Sequence, residues 1–207
     1  MPNVQAFLFT ADRDDRSGQY ALRFYGRALD GNSTRPIEVV ITNVPPVFFV
    51  ERGLELPEYI RYRERRPVEL RTLNGQDVDA LYFNGEYDLR QAREQLRARG
   101  FKTYEGDVNS GDRYLMERFL NGAVTVSGEC RSHNHTLIFE NPKIQPGTAR
   151  IKPITASIDI ETGVADNRLY SIAVDILNAD QDSESPRLNR NPSGDSPGTS
   201  IETSIEI

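Results

Sequence analysis

The chain has 207 residues, a net charge of −6 and one cysteine, Cys130. That length suits one large domain, or one domain and part of another. No apolar run approaches the roughly 18 residues needed to span a bilayer, and no basic stretch followed by an apolar core opens the chain, so neither membrane nor export is expected. A single cysteine cannot close an internal disulfide, which fits a reducing cytoplasm.

The first half alternates like sheet. Residues 4–9 and 20–29 flank the polar stretch ADRDDRSGQ, whose Asp, Ser and Gly favour a turn, and this predicts a hairpin. A third strand, 37–44, follows, and Pro45 and Pro46 end it before the short extended run VFFV. PVELRTL and VDALYF bracket Asn74-Gly75, a strong two-strand turn signal. A helix is then expected with Asp88 as N-cap, Gln91 closing a capping box, an apolar stripe of Leu89, Ala92 and Leu96, and Gly100 as terminator. Its arginines, Arg90, Arg93, Arg97 and Arg99, read as a solvent face. FKTYEGDV reads as a strand and GDRYLMERFLNG as a second helix, with NSGD (109–112) as its N-cap region. AVTVSGE and TLIFE are two further strands, and strand-helix-strand-helix-strand implies an α+β fold.

NPKIQPGTARIKP (141–153) carries three prolines without periodicity and reads as a linker between a domain at 1–140 and a hairpin at 154–178. From 179 to 207 the composition turns to Asp, Ser, Pro, Asn and Gly, a low-complexity tail. From residue 180 onward, six acids stand against two arginines, so this tail alone contributes −4 to the net charge. Acidity argues against a small basic nucleic-acid module.

Two stretches carry candidate chemistry. In SIDIET, Asp159 and Glu161 leave one face of a strand while Ile158 and Ile160 leave the other. Such a pair is either a hydrated strand face or half of a hard-cation site, and oxygen-only donors suit Mg²⁺ or Mn²⁺ rather than zinc. In EYIRYRERRPVELR, the aromatic residues Tyr59 and Tyr62 stand among Arg61, Arg63, Arg65 and Arg66. They could stack on bases and meet phosphates of a single strand; the alternative is a solvated loop partly neutralised by Glu58, Glu64 and Glu69. Cys130, His133 and His135 have metal-ligand chemistry, but no second cluster supplies a fourth ligand.

TASIDIETG followed by LYSIAV resembles the first exonuclease motif of family B DNA polymerases, and TYEGDV with DRYLMERFLNGAVTVSGE resembles the segment before it in their bacterial, polymerase II-like branch. The likeness runs from about residue 78 to 176, with a looser fit of 1–77 to the family's β-rich N-terminal domain. It implies that residues 154–178 open an RNase H-like 3′–5′ proofreading exonuclease. Asp159 and Glu161 would then hold two divalent metals and act on DNA, while deoxynucleoside triphosphates and the template and primer would be partners of the whole enzyme. The family's other exonuclease and polymerase motifs do not occur here, and nothing marks Asp166 or Asp175 as replacements. The expectation is an N-terminal piece that is inactive alone and contributes template binding and two carboxylates. Its exposed hairpin could self-associate. The alternative is a free-standing, non-catalytic nucleic-acid-binding or interaction module.

Overall fold

The computed structural model describes residues 3–15, 19–164 and 168–178. Asp166 and the low-complexity tail lie outside them. The chain divides into two compact units, Met1–Arg150 and Ile151–Ile207.

The first unit is built on two sheets. Strands β1 (Asn3–Asp14), β2 (Ala21–Asp30) and β3 (Ser33–Ile41) form an antiparallel meander. β7 (Ala123–Ser127) and β10 (Lys143–Pro146) extend it beyond β1, while β9 (Thr136–Glu140), parallel to β3, and β8 (Cys130–His133) extend it on the other side. The order is β10-β7-β1-β2-β3-β9-β8. One strand, β10, falls inside the stretch read as a linker. Register slips between Leu8 and Thr10, a bulge that brings β1 against Gly26 of β2. The core of this sheet gathers Leu22, Phe24, Ile37, Val39, Val124 and Phe139, with Tyr114 and Leu120 closing over it.

The second sheet has the order β4-β6-β5, from β4 (Val47–Glu51), β6 (Asp77–Tyr82) and β5 (Glu64–Arg71). In β4, Phe48 and Val50 pack with Leu81 and Phe83 beneath helix α1 (Glu86–Ala98), whereas Val47 and Phe49 pack with Val78 and Ala80 on the opposite face. Burial on both faces is why VFFV is apolar throughout rather than alternating.

The α+β expectation is overturned: about half of the chain is strand and 12% helix, with two helices among the described residues. The strand-helix-strand-helix-strand segment fails at its middle strand. Residues 101–108 place one bridge on β4, Phe49 to Tyr104, and the backbone then turns left-handed at Glu105 (φ 55°) before Gly106, which ends any ladder. Helix α2 (Ser110–Met116) is capped as expected, the Asn109 carboxamide oxygen accepting from Gly111 N at 2.9 Å, but it stops short of Phe119 (φ 52°). The cap of α1 differs too. Gly85 holds the N-cap position and offers no side chain, so Asp15 from the β1–β2 connection accepts from Glu86 N at 3.1 Å. Asp88 sits instead in the first turn, where its charge complements the helix dipole.

In the second unit, β11 (Ile154–Thr162) and β12 (Leu169–Asn178) form an antiparallel hairpin.

Candidate functional site

Register decides what the hairpin presents. Asp159 pairs with Ala173, Glu161 with Ser171 and Ser157 with Asp175, so these six side chains share one polar face. Ile158 faces Val174, Ile160 faces Ile172 and Ala156 faces Ile176 on the other. Asp175 therefore joins the two predicted carboxylates, one step diagonally from Asp159. Period-two counting along LYSIAVDIL, combined with the register, is the signal that could have found it. All three acids are exposed. The oxygen donors suit a hard divalent cation. Among the described residues, however, no group of three or more His, Cys, Asp or Glu side chains is gathered closely enough to hold a metal ion. Cys130 and His133 are exposed at the two ends of β8, and His135 turns into β9 with φ 64°.

The arginine- and tyrosine-rich stretch is sorted by the same alternation. Arg65 lies opposite Leu81, on the α1 side of the sheet, and its guanidinium is committed: Nε donates to Asp79 Oδ2 at 2.8 Å and Nη1 to the Leu54 carbonyl at 2.8 Å. Asp79 is buried, and its other oxygen accepts from Arg52 Nε at 3.1 Å. An acid within the apolar strand VDALYF is the signal that this ion-pair network leaves in the sequence. Glu64 and Arg66 face the other way, paired to each other at 2.5 and 2.6 Å, with Arg66 also over the ring of Tyr82. The hydrogen bonds from Arg66 hold the Glu64 carboxyl below its ordinary pKa. Tyr59 is half exposed beneath the guanidinium of Arg99, and Arg61, Tyr62 and Arg63 are exposed.

On the Glu64–Arg66 side opens a cavity of about 710 Å³ within the first unit. Val47 and Phe49 of β4 line it, Arg63, Arg66 and Tyr82 form one wall, and Asn43, Asn84 and Arg113 belong to the others. Arg113 of α2 is buried, with its guanidinium over Phe49 at 5.3 Å; it donates to Glu105 Oε2 at 2.8 Å and to the Glu105 carbonyl at 3.0 Å. Those two bonds hold the left-handed backbone at Glu105. No sequence signal distinguishes Arg113 from the other helical arginines.

No family model matches the chain. Over 110 residues it is 36% identical to DNA polymerase II of Escherichia coli (strain K12), a match covering 53% of this chain and 13% of that protein. Among solved structures, the family B DNA polymerase from the hyperthermophilic archaeon Pyrobaculum calidifontis superposes with a TM-score of 0.57 at 18% identity, over 83% of this chain and 25% of that one. These findings support the resemblance to family B DNA polymerases. The structural likeness bears on the fold, and the sequence match on kinship. The chain spans a small part of either relative's length.

Proposed function

We propose that this chain serves a DNA-directed DNA polymerase of the family B kind that also proofreads with a 3′–5′ exonuclease, in DNA replication or repair. The observation that carries the reading is the β11–β12 face on which Asp159 and Glu161 stand side by side, in a chain 36% identical over 110 residues to a bacterial DNA polymerase II. The hairpin would contribute these two carboxylates to a site for two divalent ions, Mg²⁺ or Mn²⁺. Bound there, the ions would supply an activated water and neutralise charge in phosphodiester hydrolysis. The residues' own part is to present fixed negative charge from adjacent positions of one strand, with the apolar face of Ile158 and Ile160 turned away from the polynucleotide. Two carboxylates leave most of a six-ligand shell to water, so the chain by itself holds metal weakly and is catalytically inactive. The first unit would lie on the template side, touching DNA through the exposed members of the 59–66 stretch, and the protein would work in the cytoplasm. No described helix is long and apolar enough to cross a membrane.

A second reading, a non-catalytic nucleic-acid-binding module, draws on the first unit's own pair of cores. A 3′-labelled oligonucleotide with Mg²⁺ separates the two. The 207-residue chain should leave it intact, while the product of the intact reading frame should shorten it and lose that activity, with polymerisation retained, on Asp159→Ala. Digestion by the chain alone that Asp159→Ala abolishes would overturn its inactivity. An intact gene product without Asp159-dependent digestion would overturn the exonuclease role.

A further inference from the structure

Within the first unit the chain leaves the large sheet after β3 and returns to it at α2. Every residue of the cores built on β4, β5, β6 and α1 lies between Val47 and Tyr104, and every residue of the large sheet's cores lies in 4–44 or 114–144. The small sheet and α1 are therefore an insertion, a small lobe joined to the large one by two connections, 42–46 and 105–109. The two sheets share no strand pairing among the described residues. Bodies with separate apolar cores and a polar seam move relative to each other unless something fastens them.

Each lobe grips the second connection. Arg113 of α2 donates to the Glu105 carboxylate at 2.8 Å and to its carbonyl at 3.0 Å, while Arg93 of α1 donates to the next carbonyl, that of Gly106, at 2.6 Å. A swing would be taken up by the few backbone dihedrals between those grips, as in a hinge. Fastening is concentrated at Glu86, the first residue of α1. Three segments of the large lobe converge on its carboxylate: the Tyr20 hydroxyl donates to Oε1 at 2.9 Å, the Ser110 hydroxyl donates to the same oxygen, and Arg13 lies 3.6 Å from Oε2. The Glu86 N–H donates in turn to Asp15 at 3.1 Å. Its side chain is 22% exposed, so water competes little for these bonds, and an ionised acceptor makes them stronger than neutral ones. The cavity of about 710 Å³ lies along the same seam, with Tyr20, Arg113 and Glu117 lining it from the large lobe and Phe49, Arg63 and Tyr82 from the small one. Tyr20 thus belongs both to the cavity wall and to the fastening.

We propose that the small lobe swings on the large one about its two connections, opening and closing this cavity, and that Glu86 is the latch that holds the closed arrangement. The proposal concerns the first unit alone and is independent of the reading that the protein works on DNA.

Spin-label distances in the full chain test it, with one label on Cys130 of the large lobe and the other on Leu73→Cys or Glu94→Cys, both exposed positions of the small lobe. Dilution with unlabelled chain confines the signal to single molecules. The unaltered chain should give one narrow distance for each pair. A hydrogen bond to a charged acceptor is worth about tenfold in such a two-state balance. Glu86→Ala should therefore add a second distance in at least one pair, and Tyr20→Phe, which removes one of the bonds, should add it at lower amplitude. Arg65→Ala, which weakens the small sheet without touching the seam, should keep the narrow distances when measured well below its melting point. If Glu86→Ala leaves both distances as they are, the latch is overturned. A broad distribution in the unaltered chain overturns the closed arrangement itself. If Glu86→Ala unfolds the small lobe, Tyr20→Phe and Ser110→Ala carry the test, and unchanged distances in both overturn the proposal.

Discussion

Removing Arg65 should damage stability rather than DNA binding, although it sits among the residues whose types suggest a nucleic-acid surface. Its guanidinium makes two charge-assisted hydrogen bonds, to the Asp79 carboxylate and to the Leu54 carbonyl, each 2.8 Å long. Asp79 is 7% exposed, so in Arg65→Ala one oxygen of a buried carboxylate loses its partner. Stripping a buried ion of its only partner costs about 3–5 kcal/mol. Arg52 remains on the other oxygen at 3.1 Å, which brings the expectation down to about 2–3 kcal/mol, the scale of charged hydrogen bonds. For a chain of this size each kcal/mol moves the melting midpoint by about 2–4 °C, so the variant should melt about 5–10 °C lower. Circular dichroism melts of Arg65→Ala, Asp79→Ala and the double variant make a cycle in which the pair should couple by about 2 kcal/mol. A variant that melts within 2 °C of the unaltered chain would refute this assignment.

Three other outcomes are expected. At Gly26 an added Cβ would lie 2.0 Å from the Phe7 carbonyl oxygen, an obstacle made of backbone, so Gly26→Ala should open β1 from β2 at the bulge and cost about 3 kcal/mol or more in a urea melt; Gly31→Ala, left-handed but with open space around it, should cost about 1 kcal/mol. Tyr20 is buried and donates to Glu86 Oε1 at 2.9 Å, and burial, foremost among several causes, raises its phenol well above the ordinary tyrosine value. The folded state therefore keeps a proton that the unfolded state releases, and stability should be complete below about pH 10 and fall as pH rises beyond it, less steeply in Tyr20→Phe. The apolar face of β11 and β12 should drive association, so sedimentation of the chain should become that of a monomer on combined replacement of Ile158 and Ile172 by Thr; unchanged sedimentation of an associated chain would place the contact elsewhere.

What could be read from the residues was what neighbours in the chain decide. The β1–β2 hairpin, the Asn74-Gly75 turn between β5 and β6, the Asn109 cap and the β11–β12 hairpin each depend on side chains a few positions apart. Distant partners were invisible. Asp15 caps a helix that begins 71 residues later, β9 enters the large sheet parallel to β3, and residues 101–108 alternate well enough for a strand but find β4 only through Tyr104. The α+β reading failed there, because a strand needs a neighbour's free edge as well as its own alternation.

The same physics explains why residue type alone could not sort the candidate residues. On β5, Glu64, Arg65 and Arg66 are consecutive, and a pleat sends the middle one to the opposite face. Arg65 meets a buried aspartate there and becomes part of the sheet's internal electrostatics, while Arg66 meets Tyr82 beside the cavity and pairs with Glu64 at the surface. On β11 the alternation works in the other direction. It gathers Asp159 and Glu161, which the sequence separates by an isoleucine, and the register of β12 adds Asp175 to their face. A run of like residues is thereby split between structure and surface, and a scattered set of acids is brought together. Both results follow from one repeat of two residues, provided that the partner strand and its register are known.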